Sequence, residues 1–341
     1  MDKNIVSFIE SIDPDFSYQG TEGAMALIVE SNDNMLVIES YLDGIETQAI
    51  QEGLYSDAKE KAGAAYGWAK EKAKKAIDYI IKAIKVAIAK IKALFFQMVK
   101  KIKVLYAQAA NKVGDLMSKL ASKDISGIKV DWKELQFEKI RGFVSAFHPA
   151  QLPEVKGLKA DAAGADEDDA SKLNLSAKDI LKKCVFAGGV SDESIDAGKI
   201  TEFLKDKCFE ARTEVKGGVN ALKESHDKIV DVLKELYKNI MDTEAAMLKD
   251  VSTLRKEADR HSVSYANKVV NAVNAACTMF FNAVFSVVVT GMHQRIKAVV
   301  YAIKHRAGKG IDAAKEKAVA AKDTVVEKAK GAKDWVAEKV K

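Results

Sequence analysis

Apolar residues between Ile77 and Ala109 fall into two interleaved sets. One is Ile77, Ile84, Ile91, Met98 and Leu105; the other is Ile81, Ile88, Phe95, Ile102 and Ala109. Their spacing alternates between four and three, which predicts a long helix with one narrow apolar stripe. Residues 123–160 read differently. Ile125, Ile128 and Val130, then Leu135 and Phe137, alternate with polar positions around Gly127 and Asp131, a pattern that predicts a short strand pair. From Gly157 to Ser176 the chain has small residues and five carboxylates with little to bury, and reads as a mobile loop and a boundary. A small helical region with Cys184 and Cys208 follows. Residues 211–308 then read as long helices, with Val230, Val232, Leu233, Leu236 and Ile240 on one side.

Within that last region, Val269 to Gln294 holds no Asp, Glu, Lys or Arg, and its inner part, Ala275–Gly291, is 17 residues long. That is the lower limit for a bilayer span. Asn271, Asn274, Asn282, Ser286 and Thr290 add polar groups, and no second comparable segment exists to form a hairpin. A helix buried on all sides in a bundle is therefore the preferred reading, with membrane insertion the alternative. An eleven-residue period marks the flanks. Ala-Lys-Glu-Lys-Ala stands at 58–62, 69–73 and 314–318, and 313–323 and 324–334 each end in Ala-Lys-Asp. Such a repeat gives a straight or slightly right-handed helix. It resembles the repeats of late-embryogenesis-abundant proteins and the surface helices of apolipoproteins, but low-complexity Ala/Lys/Glu sequence reaches such a pattern easily, and a solvent-facing helix with little packing is the preferred reading.

Composition reinforces the helical reading. Of 341 residues only three are proline, at 14, 149 and 153, while Ala and Lys recur throughout. The odd number of widely separated cysteines, Cys184, Cys208 and Cys277, argues against a disulfide scaffold or a zinc ribbon. The amino-terminal segment is acidic and lacks the basic and apolar regions of a secretory signal. The fold class expected is mostly α: an elongated bundle of long amphipathic helices with a small irregular or α+β centre. Five regions are delimited. They are an acidic segment 1–52, a basic amphipathic region 53–122, a mixed region 123–210 with the acidic loop 157–176, a long-helix region 211–308 and a charged tail 309–341.

Charge changes the picture most. The net charge of +5 is the sum of −10 over 1–52 and +15 over the rest, the latter made of +11 in 53–123, −4 in 124–210 and +8 in 211–341. Between Tyr79 and Gly114 there is no acidic residue but there are eight lysines, including Lys82, Lys85, Lys92, Lys100 and Lys103. A purely structural helix would be expected to intersperse Glu for i,i+4 pairing. The stripe is thus open to three readings: solvated lysines on a core-packing helix, a helix that also holds phosphate, and a membrane-surface helix. A second basic cluster comprises Arg295, Lys297, Lys304, Arg306 and Lys309. Lysine outnumbers arginine 48 to 6, which suits non-specific phosphate neutralisation better than bidentate base readout. The scarcity of aromatics in the basic stretches points away from stacking on single-stranded bases.

Candidate chemistry is sparse. The five histidines, His148, His226, His261, His293 and His305, never fall at the spacing of a two-ligand helical pair. Ala307-Gly308-Lys309-Gly310 lacks the upstream Gly and the Ser or Thr of a phosphate loop and reads as a basic hinge. There is no nucleophile elbow, no Cys/His pair and no dinucleotide fingerprint. No catalytic residue, metal or cofactor is therefore assigned.

The acidic and basic parts meet at Ala49-Ile50-Gln51-Glu52-Gly53. Ile50, two positions before Glu52 and followed by small Gly53, resembles the cut site of prohead proteases from large contractile-tailed phages. Ile28, Glu30 and Ser31 repeat the pattern, whereas at Glu154, Glu202 and Glu235 no small residue follows. Residues 1–11 and 20–31 resemble the propeptides of internal head or prohead-core proteins of such phages. That resemblance covers about the first 55 residues and implies a non-enzymatic virion protein, made as a precursor and cut after Glu52. It further implies a location inside the phage head and, as partners, the prohead protease and other capsid or core proteins. Double-stranded DNA, bound without sequence preference, is the partner expected for the basic body. A membrane- or lipid-surface-active helical protein is the alternative.

Overall fold

The computed structural model describes residues 58–118, 125, 128–164, 173–186, 199–256 and 258–306, of which 84% are helical. Helix α1 spans Ala58–Ser118, and its 61 residues extend about 90 Å at 1.5 Å per residue. Its buried line contains Ile77, Ile84, Ile91, Phe95, Met98, Ile102 and Ala109 from the heptad sets, joined by Ile80 and Ala87. Ile81, Ile88 and Leu105 border the stripe and are only partly covered. This face packs on α6 (Gly218–Leu254) and α7 (Arg260–Arg306).

Two short strands form the non-helical centre. β1 (Lys129–Leu135) alternates, with Val130, Trp132 and Leu135 inward. Its partner is β2 (Phe209–Glu214), antiparallel, with Trp132 opposite Arg212 and Leu135 opposite Phe209. A strand pair confined to 123–160 is therefore not what forms. Directly after Leu135 the apolar period changes from two to three and four, through Phe137, Ile140 and Val144, and builds α2 (Phe137–Ala146). The strand consequently finds its partner some seventy-five residues further on. Trp132 Nε1 ties the pair by donating to the Glu214 carbonyl at 3.0 Å.

A 3₁₀ turn at Pro149–Gln151 leads into α3 (Pro153–Gly164), which corrects the loop expected from Gly157 onward. Pro153 suits a first helical position, Val155 and Leu158 are buried, and the alanines that follow favour helix. Residues 165–172, with most of the acidic run, lie outside the described residues. α4 (Ala177–Val185) opens with a reciprocal cap: Asp179 N–H donates to Ser176 Oγ at 3.3 Å, and Ser176 N–H to Asp179 Oδ2 at 2.9 Å. α5 (Ile200–Cys208) runs straight into β2. Gly217, with φ of +84°, turns the chain from β2 into α6.

α7 is the hub. It packs on α1, α3, α4, α5, α6 and β1, and Val269, Val273, Cys277, Phe280, Val284 and Val288 are all fully or nearly fully buried. By length and composition it could cross a membrane, yet 78% of its most apolar window is buried within the fold. Its partly exposed positions Ala275, Met279, Asn282, Ser286 and Thr290 lie three or four apart, so the small and polar side chains line a single seam. Gly291 faces β1, where a Cβ would lie 2.7 Å from Leu135 Cβ. One continuous apolar core runs from Ala73 to Ile303.

Candidate nucleic-acid interface

Burying one face of α1 fixes what the opposite face presents. Lys82, Lys85, Lys92, Lys100 and Lys103 are all exposed. At 100° per residue they fall within about 80° of one another, on a line roughly 32 Å long. None of the five makes a hydrogen bond or ion pair among the described residues. Carboxylates on α1 stand outside the line, where Glu71 pairs with Lys74 at 2.7 Å and Asp78 with Arg255 at 3.0 Å. Phe96 lies in the middle of the lysine line and is 58% exposed. Its neighbour Phe95 points inward and stacks on Tyr237, with ring centroids 4.3 Å apart and planes 17° apart.

The second cluster is not brought together in the same way. Arg295 has only 16% of its side chain exposed, and its Nη2 lies 2.6 Å from Glu134 Oε1. Its guanidinium sits 4.9 Å from the Trp132 ring centroid. Burial depresses its pKa, while Glu134 and Glu224 work against that shift. Glu134 also accepts from Arg212 Nε at 2.7 Å, Arg212 reaches Glu210 at 3.1 Å, and Glu210 meets Lys139 at 2.8 Å. Arg295 is thus the inner end of a chain of alternating charge linking α7, β1, β2 and α2, and is not available for phosphate. Lys297 is exposed and Lys304 partly so. Arg306 is the last residue of α7, and Lys309 lies outside the described residues.

The proposed cut sites, Ile28, Glu30, Ser31, Ile50, Glu52 and Gly53, also lie outside the described residues. Leu222-Lys223-Glu224 followed by Ser225 carries the same pattern within α6, where Leu222 and Ser225 are buried. The triplet alone therefore does not select the acidic-to-basic boundary.

Ionisable groups in the core are separate from the basic face. Glu244 on α6 is fully buried, and burial pushes its pKa up to about 8. The Asn274 amide of α7 lies 2.9 and 3.2 Å from the two Glu244 carboxyl oxygens, so Asn274 accepts from the protonated acid through its oxygen or, with the amide turned, donates to the carboxylate through its nitrogen. Burial raises the thiols of Cys184 to about 11 and Cys208 to about 12, which leaves them as poor nucleophiles. His293 is lowered to about 4, first by burial and then by Lys297. Among the described residues no group of three or more His, Cys, Asp or Glu side chains is placed to hold a metal ion. The chain matches no protein-family model, no curated protein and no solved structure.

Proposed function

We propose that this chain is a non-enzymatic internal head or prohead-core protein of a large contractile-tailed phage, whose α1 face holds packaged duplex DNA without sequence preference. The supporting observation is the line of five exposed, unpaired lysines with no carboxylate among them. Point charges spaced along a straight rod neutralise phosphates but carry no donor pattern for reading base edges. The −10 segment 1–52 fits a precursor role, since removing it after Glu52 would raise the net charge from +5 to +15. The prohead protease and other capsid or core proteins are the partners this reading requires.

The lipid-surface reading draws on the apolar length of α7 and on the lysines of α1. Burial of α7, and of the isoleucine face of α1 against α6 and α7, uses the surfaces that a bilayer would need. The deciding experiment is fluorescence anisotropy with random duplex at several salt concentrations. Each phosphate neutralised contributes a slope of about −0.9 in log K against log salt, so six contacts cost on the order of a thousandfold between 50 and 200 mM. Replacing Lys82, Lys85, Lys92 and Lys103 by Gln keeps helix propensity and should flatten that slope by up to about four contacts' worth. An unchanged slope in this variant would sink the assignment of the face.

A further inference from the structure

Among the described residues the exposed large apolar side chains are Tyr79, Phe96 and Val104, and all three are on α1. Phe96 is the most exposed and stands on the lysine line, one helical turn from Lys92 on one side and from Lys100 on the other. Its ring is braced from below. Phe95 meets it edge-on, with centroids 5.5 Å apart and planes at 62°, and Phe95 is itself stacked on Tyr237. Phe96 thus has one aromatic neighbour, the inward-facing Phe95, and leaves most of its own surface to solvent.

We propose that Phe96 is a stacking platform for an unpaired base, so that the α1 face, besides holding duplex, binds single-stranded nucleic acid, with Lys92 and Lys100 holding phosphates on either side of the stacked nucleotide; this one exposed ring is the exception to the scarcity of aromatics that pointed away from base stacking. This rests on the functional reading above and extends it, because lysines alone serve any phosphate backbone while a fixed, exposed ring favours a free π-face. In a duplex the bases are stacked on one another and offer the ring nothing equivalent. A membrane contact fits the same side chains less well. An interfacial helix gathers several large apolar residues on one face and its cations on another. Here a single aromatic stands among five unpaired lysines over roughly 32 Å of helix.

The test uses the full chain at low salt, with an oligothymidine and a random duplex of equal length as probes. Phe96→Ala is expected to weaken oligothymidine binding about five- to a hundredfold and to leave duplex binding within about twofold. Phe96→Trp is expected to retain oligothymidine binding and to add emission that the oligonucleotide quenches. Unchanged thermal melting of both variants shows that the fold is intact, as the exposure of the side chain leads one to expect. Equal loss of both probes in Phe96→Ala, or loss of neither, overturns the inference while leaving the lysine line to stand on its own salt dependence. A tryptophan that ignores oligothymidine but shifts to the blue with vesicles of anionic lipid overturns it in favour of a lipid contact. Failure of the wild-type chain to bind either nucleic acid overturns the functional reading, and this inference with it.

Discussion

Glu244 is a residue whose ionisation the fold resists, because its carboxyl is fully buried between α6 and α7, where among the described residues the Asn274 amide is the polar group that faces it. Its folded pKa of about 8 stands above the ordinary value near 4.5, so from about pH 4.5 to 8 the unfolded chain has released a proton that the folded chain keeps. Stability therefore falls as pH rises through that window. His293 acts oppositely. Its folded pKa of about 4 lies below the ordinary 6.5, so it costs stability as pH falls from about 6.5 toward 4. The two slopes offset each other between about 4.5 and 6.5, and only the Glu244 slope remains from 6.5 to 8. Wild type should thus lose stability across that upper interval, by about 1.4 kcal/mol for each pH unit at most. Glu244→Gln should be nearly flat there. Urea titrations at several pH values measure this directly, and a variant that keeps the wild-type decline would assign it to another group.

At the scale of elements, Glu134 joins three pieces of structure through two arginines. The interaction with Arg295 is the better shielded, with 16% and 22% of the two side chains exposed, whereas Arg212 is 42% exposed. Glu134→Ala leaves the Arg295 guanidinium against Trp132 without its hydrogen-bonded carboxylate, with Glu224 the remaining nearby anion, and should cost about 1–3 kcal/mol. Arg212→Ala should cost distinctly less than Glu134→Ala, as expected for an exposed pair. Comparable losses in both variants by chemical denaturation would show the network to be energetically uniform.

The same site illustrates what the sequence made legible. Heptad spacing identifies α1, and the absence of charge in 269–294 identifies a buried helix, because both signals are local periodicities. The pairing of β1 with β2 and the meeting of Arg295 with Glu134, 161 positions apart, leave no local trace. Arg295 accordingly reads as one more basic residue in a cluster. Phe96 is intermediate. The heptad sets contain Phe95, so Phe96 must lie 100° away from the seam, a phase that places it among the lysines, but only the packed helix reveals how little covers it.

Across the whole molecule, charge is separated as strongly as the apolar groups are gathered: one continuous core binds α1, α6 and α7, while a −10 segment precedes a +15 body. Under the proposed function, covalent attachment makes any contact between that segment and the α1 lysines intramolecular, at an effective concentration set by the length of chain between them. Carboxylates at that concentration compete with phosphate for the unpaired Lys82, Lys85, Lys92, Lys100 and Lys103. The full chain should therefore bind random duplex more weakly than the chain beginning at Gly53. Screening weakens both the intramolecular and the intermolecular attraction, since the Debye length shrinks from about 30 Å at 10 mM salt to about 10 Å at 100 mM. The ratio of the two affinities should accordingly be largest in dilute salt and approach one as salt rises. Peptide mapping of purified particles supplies the complementary observation, with Gly53 the expected first residue of the particle-bound form. Equal affinities of the two forms at every salt concentration would show that the acidic segment does not occupy the lysine line, whatever else its removal accomplishes.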